Sequence, residues 1–448
     1  MNFAARTNYI CMTVALGGLL FGFDTAVISG ALGLIRTQFS LGTVQEGWLV
    51  SSGLAGCILG VLVTGVLSDR IGRKRTVLLA AATFLLSGVG CAFAADVDWL
   101  IISRIIGGVG VGMASVISPM LIAEFAPAAK RGRMIAYYQL AITVGILLAY
   151  LSNALFLSMG AGWFSGEIWR PMFLVMAVPS LVFLLLLLKV PESPRWLISV
   201  GQGAKARAIL GQIRTADAAA KEMSDIEEAD WKTLEKKPSL LQGPLRLPLF
   251  IGIVLAVFQQ FSGINAIIYY GPRIFEAAGV GGSNALIFQV IVGTINVLFT
   301  IIAIMYSDKY GRKFLLVTGL TGIVFSLVFC GALFYTGHTQ GILLLVLVLL
   351  FIACFAFSLG PVTWIVINEI FPTAVRVKAV SICTLALWIA VWLVGQFFPW
   401  MLAKAGAAIT FWIFAACSIA NFFFSWRVVK ETKGKTLEEM ETVFIAPH

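Results

Sequence analysis

Long apolar runs alternate with short polar breaks along nearly the whole chain. Twelve of the runs are long enough to cross lipid hydrocarbon as helices, near residues 9–35, 47–68, 77–95, 99–123, 134–157, 171–190, 248–275, 284–306, 314–335, 341–367, 379–402 and 407–428. Six lie on each side of one polar insert, Pro191 to Leu247, which holds 17 of the 54 charged residues. Composition agrees with the pattern: 59% of the residues are hydrophobic and 12% charged, too little polar surface for a soluble globule of 448 residues. The pattern predicts an all-α integral membrane protein of twelve spans. Its segments are an N-terminal six-helix bundle (1–190), a linker with short surface helices (191–247), a C-terminal six-helix bundle (248–430) and a tail (431–448).

The halves repeat a signature. Ser68-Asp69-Arg70-Ile71-Gly72-Arg73-Lys74 returns as Ser307-Asp308-Lys309-Tyr310-Gly311-Arg312-Lys313, an offset of 239 residues. Glu124-x-x-Pro127-x-x-x-Arg131 returns as Glu369-x-x-Pro372-x-x-x-Arg376, an offset of 245. Two bundles related by a pseudo-twofold axis follow from this duplication, and parallel repeats of that kind suit a rocking transporter.

Charge changes the picture by its placement. The net charge is +10, which by itself admits nucleic acid as a partner. With the N-terminus in the cytoplasm, however, 27 of the 32 Lys and Arg fall on the cytoplasmic side, four outside (Arg36, Arg170, Arg273, Lys404) and Arg104 within a span. That is the positive-inside bias of a protein with both termini cytoplasmic, partnered by a bilayer and by no nucleic acid. The first apolar run is too long for a signal-peptide core and reads as an uncleaved helix. The seven cysteines form no CxxC pair, the histidines number two, and no GxxxxGK[ST] loop occurs. Metal, cofactor, direct ATP use and an enzymatic role therefore have no support in the sequence.

The polar residues inside the spans carry the candidate chemistry. Asp24 is the only charge between Tyr9 and Ile35, and Arg104 the only one between Trp99 and Ile122. At about 1.5 Å per residue they lie roughly 16 Å and roughly 8 Å from the same ends of antiparallel spans, a gap that an arginine side chain bridges. An unpaired charge there is costly, so the two are expected to pair, and a pair that opens and closes turns conformation into proton affinity.

The seventh span reads Gln259-Gln260-Phe261-Ser262-Gly263-Ile264-Asn265, then Tyr269-Tyr270. A straight helix points Gln259 and Asn265 about 240° apart, so a break near Gly263 is predicted. Amides that donate and accept suit a ligand rich in hydroxyls, and aromatic faces suit the C–H surface of a sugar ring. Asn296, Trp364 and Trp388 are expected to converge with them, and Gly360-Pro361 to loosen the tenth span. At the cytoplasmic ends, Asp69, Arg73, Glu124, Arg131, Glu192 and Arg195 face Asp308, Arg312, Glu369, Arg376 and Glu431 as a candidate latch or gate.

Over nearly its whole length the chain resembles the sugar porter family of the major facilitator superfamily, in particular bacterial proton-coupled xylose and glucose symporters. The residues that carry the resemblance are Gly22-Phe23-Asp24, Asp69–Arg73, Arg104-Ile-Ile-Gly-Gly, Pro191-Glu192-Ser193-Pro194-Arg195-Trp196, Gln259–Asn265, Gly360-Pro361-Val-Thr-Trp364 and Glu431-Thr432-Lys433-Gly434. The resemblance implies a proton-coupling role for Asp24 with Arg104. It implies sugar contacts at Phe21, Gln259, Gln260, Asn265, Tyr269, Asn296, Trp364 and Trp388, and a cytoplasmic charge network at the residues above. It departs in span five, where the family's glutamine positions are Ile146 or Tyr150, with Asn153 or Gln139 as substitutes. It departs also at Leu387 and Val391, at Val377, and at Val429-Lys430. The expected activity is proton-coupled uptake of a xylose- or glucose-like monosaccharide by a monomer. Facilitated uniport and a sugar-sensing receptor remain as alternatives.

Overall fold

The computed structural model describes residues 3–127, 130–160, 166–235, 245–280, 283–339, 342–371 and 373–431; at 227–235, 283, 307, 308, 373, 374 and 377 the backbone alone is described. Among the described residues the regular structure is helical. The first half contains α1 (Phe3–Phe39), α2 (Thr43–Ile71), α3 (Arg73–Ala92), α4 (Val97–Phe125), α5 (Arg131–Met159), α6 (Trp169–Leu174) and α7 (Ala177–Leu188). Between the halves lie α8 (Pro194–Ser199), α9 (Gly203–Ile213) and α10 (Ala216–Glu235). The second half contains α11 (Arg246–Phe261), α12 (Ile264–Ala277), α13 (Ser283–Tyr310), α14 (Arg312–Thr336), α15 (Ile342–Phe357), α16 (Leu359–Glu369), α17 (Thr373–Lys404) and α18 (Gly406–Arg427). They supply twelve helical segments long and apolar enough to cross a membrane.

Three of those segments are broken helices, and each break has a local cause. In the sixth, Pro179 has no N–H to give the carbonyl of Val175, which accepts instead from Val178 in a tighter turn between α6 and α7. In the seventh, Gly263 adopts φ +89°, ψ +11°, so α11 stops at Phe261 and α12 restarts at Ile264 on a new axis. In the tenth, Ser358 has φ −121°, ψ −83° between α15 and α16, and Pro361 sits in the first turn of α16, where a missing N–H is tolerated. The break expected at Gly263 is thus present, while the tenth span, expected to loosen at Gly360-Pro361, breaks two residues before Gly360, at Ser358.

Small residues set the closest helix contacts. A Cβ at Gly108 of α4 would lie 1.8 Å from the carbonyl oxygen of Gly53 on α2, and one at Gly22 of α1 would lie 1.9 Å from that of Ile142 on α5. Even alanine would push these helices apart, and in lipid such close packing replaces the hydrophobic drive that water supplies elsewhere. Outward faces carry exposed Leu62, Val66, Leu86, Leu185 and Leu188, as a lipid-facing surface requires. The halves meet along α2 with α17, α5 with α13, and α1 with α12.

Candidate functional site

The centre of the first half holds one ion pair. Arg104 Nη1 lies 3.1 Å from Asp24 Oδ1 and donates also to the Asp24 carbonyl oxygen at 3.2 Å. Both residues are only 3% exposed. The guanidinium also lies over the Phe173 ring, 6.0 Å from its centroid. Glycine clears space for it: a Cβ at Gly53 would come within 3.0 Å of Arg104 Nη2, and one at Gly107 within 3.2 Å of Asp24 Oδ1. Removing one partner of such a pair strands a buried charge, at a cost of about 3–5 kcal/mol. The pair foreseen from depth and spacing alone is therefore made.

Across the interface, the break at Gly263 brings three amides into one directed chain. Asn265 Nδ2 donates to Gln260 Oε1 at 2.5 Å, Gln260 Nε2 to Gln259 Oε1 at 3.2 Å, and Gln259 Nε2 to the Leu359 carbonyl at 2.6 Å. The last bond ties the broken seventh span to the broken tenth. Gln259 and Gln260 are buried and Asn265 is half-buried. Tyr269, one turn beyond Asn265, is 2% exposed and within electrostatic reach of both Asp24 and Arg104, so the amide cluster adjoins the ion pair. Trp388 of α17 packs against Phe21 of α1 with ring centroids 5.4 Å apart. Asn296 is buried on α13, and Trp364 is half-buried on α16. Among the described residues no hydrogen bond joins either side chain to the amide chain.

Several contacts at this centre had little signal in the sequence. The Tyr150 hydroxyl, on α5, crosses the interface to the Ile268 carbonyl at 3.1 Å, next to Tyr269. Asn153 Nδ2 donates to the Val27 carbonyl at 3.0 Å, which makes Asn153 a brace between α5 and α1. Trp392 follows Trp388 by one turn of α17, and its indole N–H is buried without a partner among the described residues. Only the four-residue spacing of the two tryptophans marks it in the sequence.

At the end where α1 begins and α18 ends, ion pairs form within each half. Arg73 pairs with Asp69 at 2.9 Å and with Glu124 at 3.6 Å, and Arg312 pairs with Glu369 at 3.1 Å. Glu192 accepts from the Lys74 backbone N–H at 3.0 Å. Glu431 accepts from the backbone N–H groups of Arg312 and Lys313, at 2.8 and 3.0 Å. Each glutamate caps the helix that begins at the repeated Gly-Arg-Lys, where φ is +101° at Gly72 and +88° at Gly311. Glu192 and Glu431 are themselves 239 residues apart, the spacing of Asp69 and Asp308. Arg131 donates to the Ala123 carbonyl, Arg376 to that of Phe371, and Arg195 lies near Glu124 and Arg131. The Asp308 side chain lies outside the described residues, as do Thr432, Lys433 and Gly434.

At the other end, the halves are tied directly. Arg273 of α12 donates to both carboxylate oxygens of Glu46 on α2, a residue only 1% exposed. Ser51 of α2 donates to Gln396 Oε1 of α17 at 2.6 Å, and Gln396 Nε2 reaches the Val44 carbonyl at 3.4 Å. A Cβ at Gly47 would lie 2.4 Å from the Gln396 carbonyl oxygen, so the backbones touch here.

Comparison with known proteins adds findings of three kinds. Residues 10–444 match the family model described as sugar (and other) transporter. The chain is 44% identical to the arabinose-proton symporter of Bacillus subtilis, over 97% of this chain and 94% of that protein. It is 39% identical to the D-xylose-proton symporter of Escherichia coli, over 99% and 97%. In structure it is similar to the xylose transporter of E. coli in a partially occluded inward-open conformation, with a TM-score of 0.86, 38% identity, and coverage of 96% of this chain and 100% of that one. A major facilitator superfamily proton:xylose symporter bound to 6-bromo-6-deoxy-D-glucose gives a TM-score of 0.85 at 38% identity, over 99% and 100%. The broken seventh and tenth spans, the buried Asp24–Arg104 pair and these matches agree, and the chain belongs to the sugar transporter family of the major facilitator superfamily.

Proposed function

We propose that this protein imports a monosaccharide of the xylose or glucose type together with a proton, by alternating access. The observation that carries the reading is the adjacency of two unlike sites: a buried ion pair, Asp24 with Arg104, beside the amide chain of Gln259, Gln260 and Asn265. In this reading Asp24 takes the proton and Arg104 senses its charge. The amides, with Tyr269, Asn296, Phe21, Trp364 and Trp388, hold the sugar hydroxyls and ring.

The six-helix units 1–190 and 248–430 rock about that centre, with 191–247 as the cytoplasmic linker and 431–448 as the tail. The distribution of Lys and Arg supports cytoplasmic termini, which makes the tied end around Glu46 and Arg273 the outside. The arrangement described is then inward-facing. The charges Asp69, Arg73, Glu124, Arg131, Glu192, Arg195, Asp308, Arg312, Glu369, Arg376 and Glu431 serve as an inner gate that regroups across the halves in the outward-facing state. One chain is the functional unit.

Uptake of labelled xylose, arabinose and glucose into proteoliposomes, with and without an imposed proton gradient, tests the reading. Accumulation above the external concentration that collapses with a protonophore is the expected result. Saturable uptake that never exceeds equilibration and ignores the gradient would instead establish uniport.

A further inference from the structure

Phe21 and Ser115 of the other half both touch Trp388, and each rides on a helix that carries one member of the buried ion pair. Phe21 lies three positions before Asp24 on α1, so the two share a face, and its ring packs on the Trp388 indole at 5.4 Å. Ser115 lies eleven positions after Arg104 on α4, about three turns, so it too repeats the face of its partner. The Trp388 indole N–H donates to Ser115 Oγ in a long hydrogen bond of 3.4 Å. The serine's own hydrogen is committed to the Gly112 carbonyl at 2.8 Å, which leaves its oxygen lone pair aimed away from its helix.

We infer that Ser115 is a positioning residue for sugar binding: its hydroxyl holds the Trp388 indole N–H while Asp24 and Arg104 are paired, and releases it to a sugar hydroxyl when they part. The inference rests on the symport reading above and deepens it. With Asp24 ionised, Arg104 grips both its carboxylate and its backbone carbonyl, so α1 and α4 are fixed to each other and Phe21 and Ser115 approach Trp388 together.

Protonation of Asp24 removes the charge that Arg104 is held to. The helices are then free to shift, and a 3.4 Å hydrogen bond is the first contact such a shift breaks. The freed indole N–H gains a ligand partner in place of a protein one. Among the described residues, the titratable groups within electrostatic reach of Asp24 are Arg104 on α4, Cys57 on α2, Cys91 on α3 and Tyr269 on α12.

The test is initial-rate uptake of D-xylose, or of whichever of the three sugars the wild type accumulates, between pH 5.5 and 8.5. Wild type, Ser115→Ala and Ser115→Thr are compared. In the wild type KM is expected to rise with pH over this range. Ser115→Ala, without the competing acceptor, is expected to lower KM about 2- to 10-fold at the alkaline end, flatten its pH dependence and leave Vmax at acidic pH within about twofold. Ser115→Thr, which keeps the hydroxyl, is expected to restore the wild-type profile.

A sugar-induced change in tryptophan emission that disappears in Trp388→Phe supplies a second readout, and in Ser115→Ala it should lose its dependence on pH. A Ser115→Ala profile parallel to the wild type, or a loss of Vmax alone, would overturn the inference. If the wild type itself shows no gradient-driven accumulation, the symport reading fails first; if it does and Ser115→Ala is indistinguishable from it, only the tether fails.

Discussion

The two ends of this molecule use the same chemistry, carboxylates against arginines, for opposite purposes. At the end around Glu46 and Arg273 the pair joins the two halves, with the Glu46 side chain 1% and the Arg273 side chain 19% exposed. At the terminal end the pairs Arg73–Asp69, Arg73–Glu124 and Arg312–Glu369 each stay inside one half, and the Asp69 side chain is 72% exposed. A buried pair between moving bodies favours the one state in which it forms. Pairs within one body, exposed like Asp69 or mostly buried like Glu124, form in either state, so they add little to that preference. Among the described residues, then, the repeated acids Glu124 and Glu369 are bound within their own halves, while an unrepeated pair at the far end ties the halves together.

The largest effect should therefore come from the far end. Arg273→Ala strands the Glu46 carboxylate in a buried position, and the cost of an orphaned charge, about 3–5 kcal/mol, is enough to shift a two-state equilibrium more than 100-fold. Alkylation of a cysteine placed at Val50, buried on α2 beside α17, with the seven native cysteines replaced, should rise from protected to rapid in the Arg273→Ala background. Continued protection would mean that Ser51, Gln396 and the backbone contact at Gly47 hold this end closed without the ion pair.

A middle-sized effect belongs to the caps of the terminal end. Glu192→Gln and Glu431→Gln each replace a charged acceptor at a helix start by a neutral one. The expected loss is about 0.5–2 kcal/mol of stability, read as a lower melting temperature in detergent, and similar for the two because the sites are structural repeats. A large loss at one and none at the other would show that the repeat has ceased to be equivalent even in its architecture.

The smallest effect on stability belongs to Asp69. Its exposed pair with Arg73 is screened by water, so Asp69→Asn should leave the melting temperature unchanged. Transport separates two roles for the same residue. A fall in uptake at unchanged stability sharpens the contrast between the ends, since it places the work of Asp69 in the outward-facing state, whereas unchanged uptake would reduce the residue to a solvated surface charge.

Much of this architecture was legible in the sequence because lipid is a strict solvent. Apolar runs must become helices, a lone Asp24 and a lone Arg104 must find each other, and Gln259 and Asn265 cannot both face inward unless the helix breaks at Gly263. Each inference follows from a cost that has one cheap escape. The contacts that stayed hidden are those where several partners would serve equally well. Glu46 sits near the start of a helix and reads as a surface acid, and Arg273 reads as an outer charge; nothing local says that they meet. Ser115 reads as a small packing residue, since a serine in a span ordinarily bonds its own helix, and its hydroxyl does donate to Gly112. Glu192 and Glu431 were legible as charges of a gate, and the structure uses them as helix caps in the state described. The spacing of 239 residues, already visible in the repeat, was the clue to that shared role.

In the proposed mechanism Asp24 converts a proton gradient into a sugar gradient through its pairing with Arg104. Sugar-driven proton flux in proteoliposomes containing a trapped pH dye, measured for the wild type and Asp24→Asn at matched protein density, tests it most directly. Adding sugar outside wild-type vesicles should acidify the lumen with no imposed gradient. Asp24→Asn should retain sugar exchange down its gradient but move no protons. Proton flux that persists in Asp24→Asn, or a wild type that carries sugar with none, would contradict it.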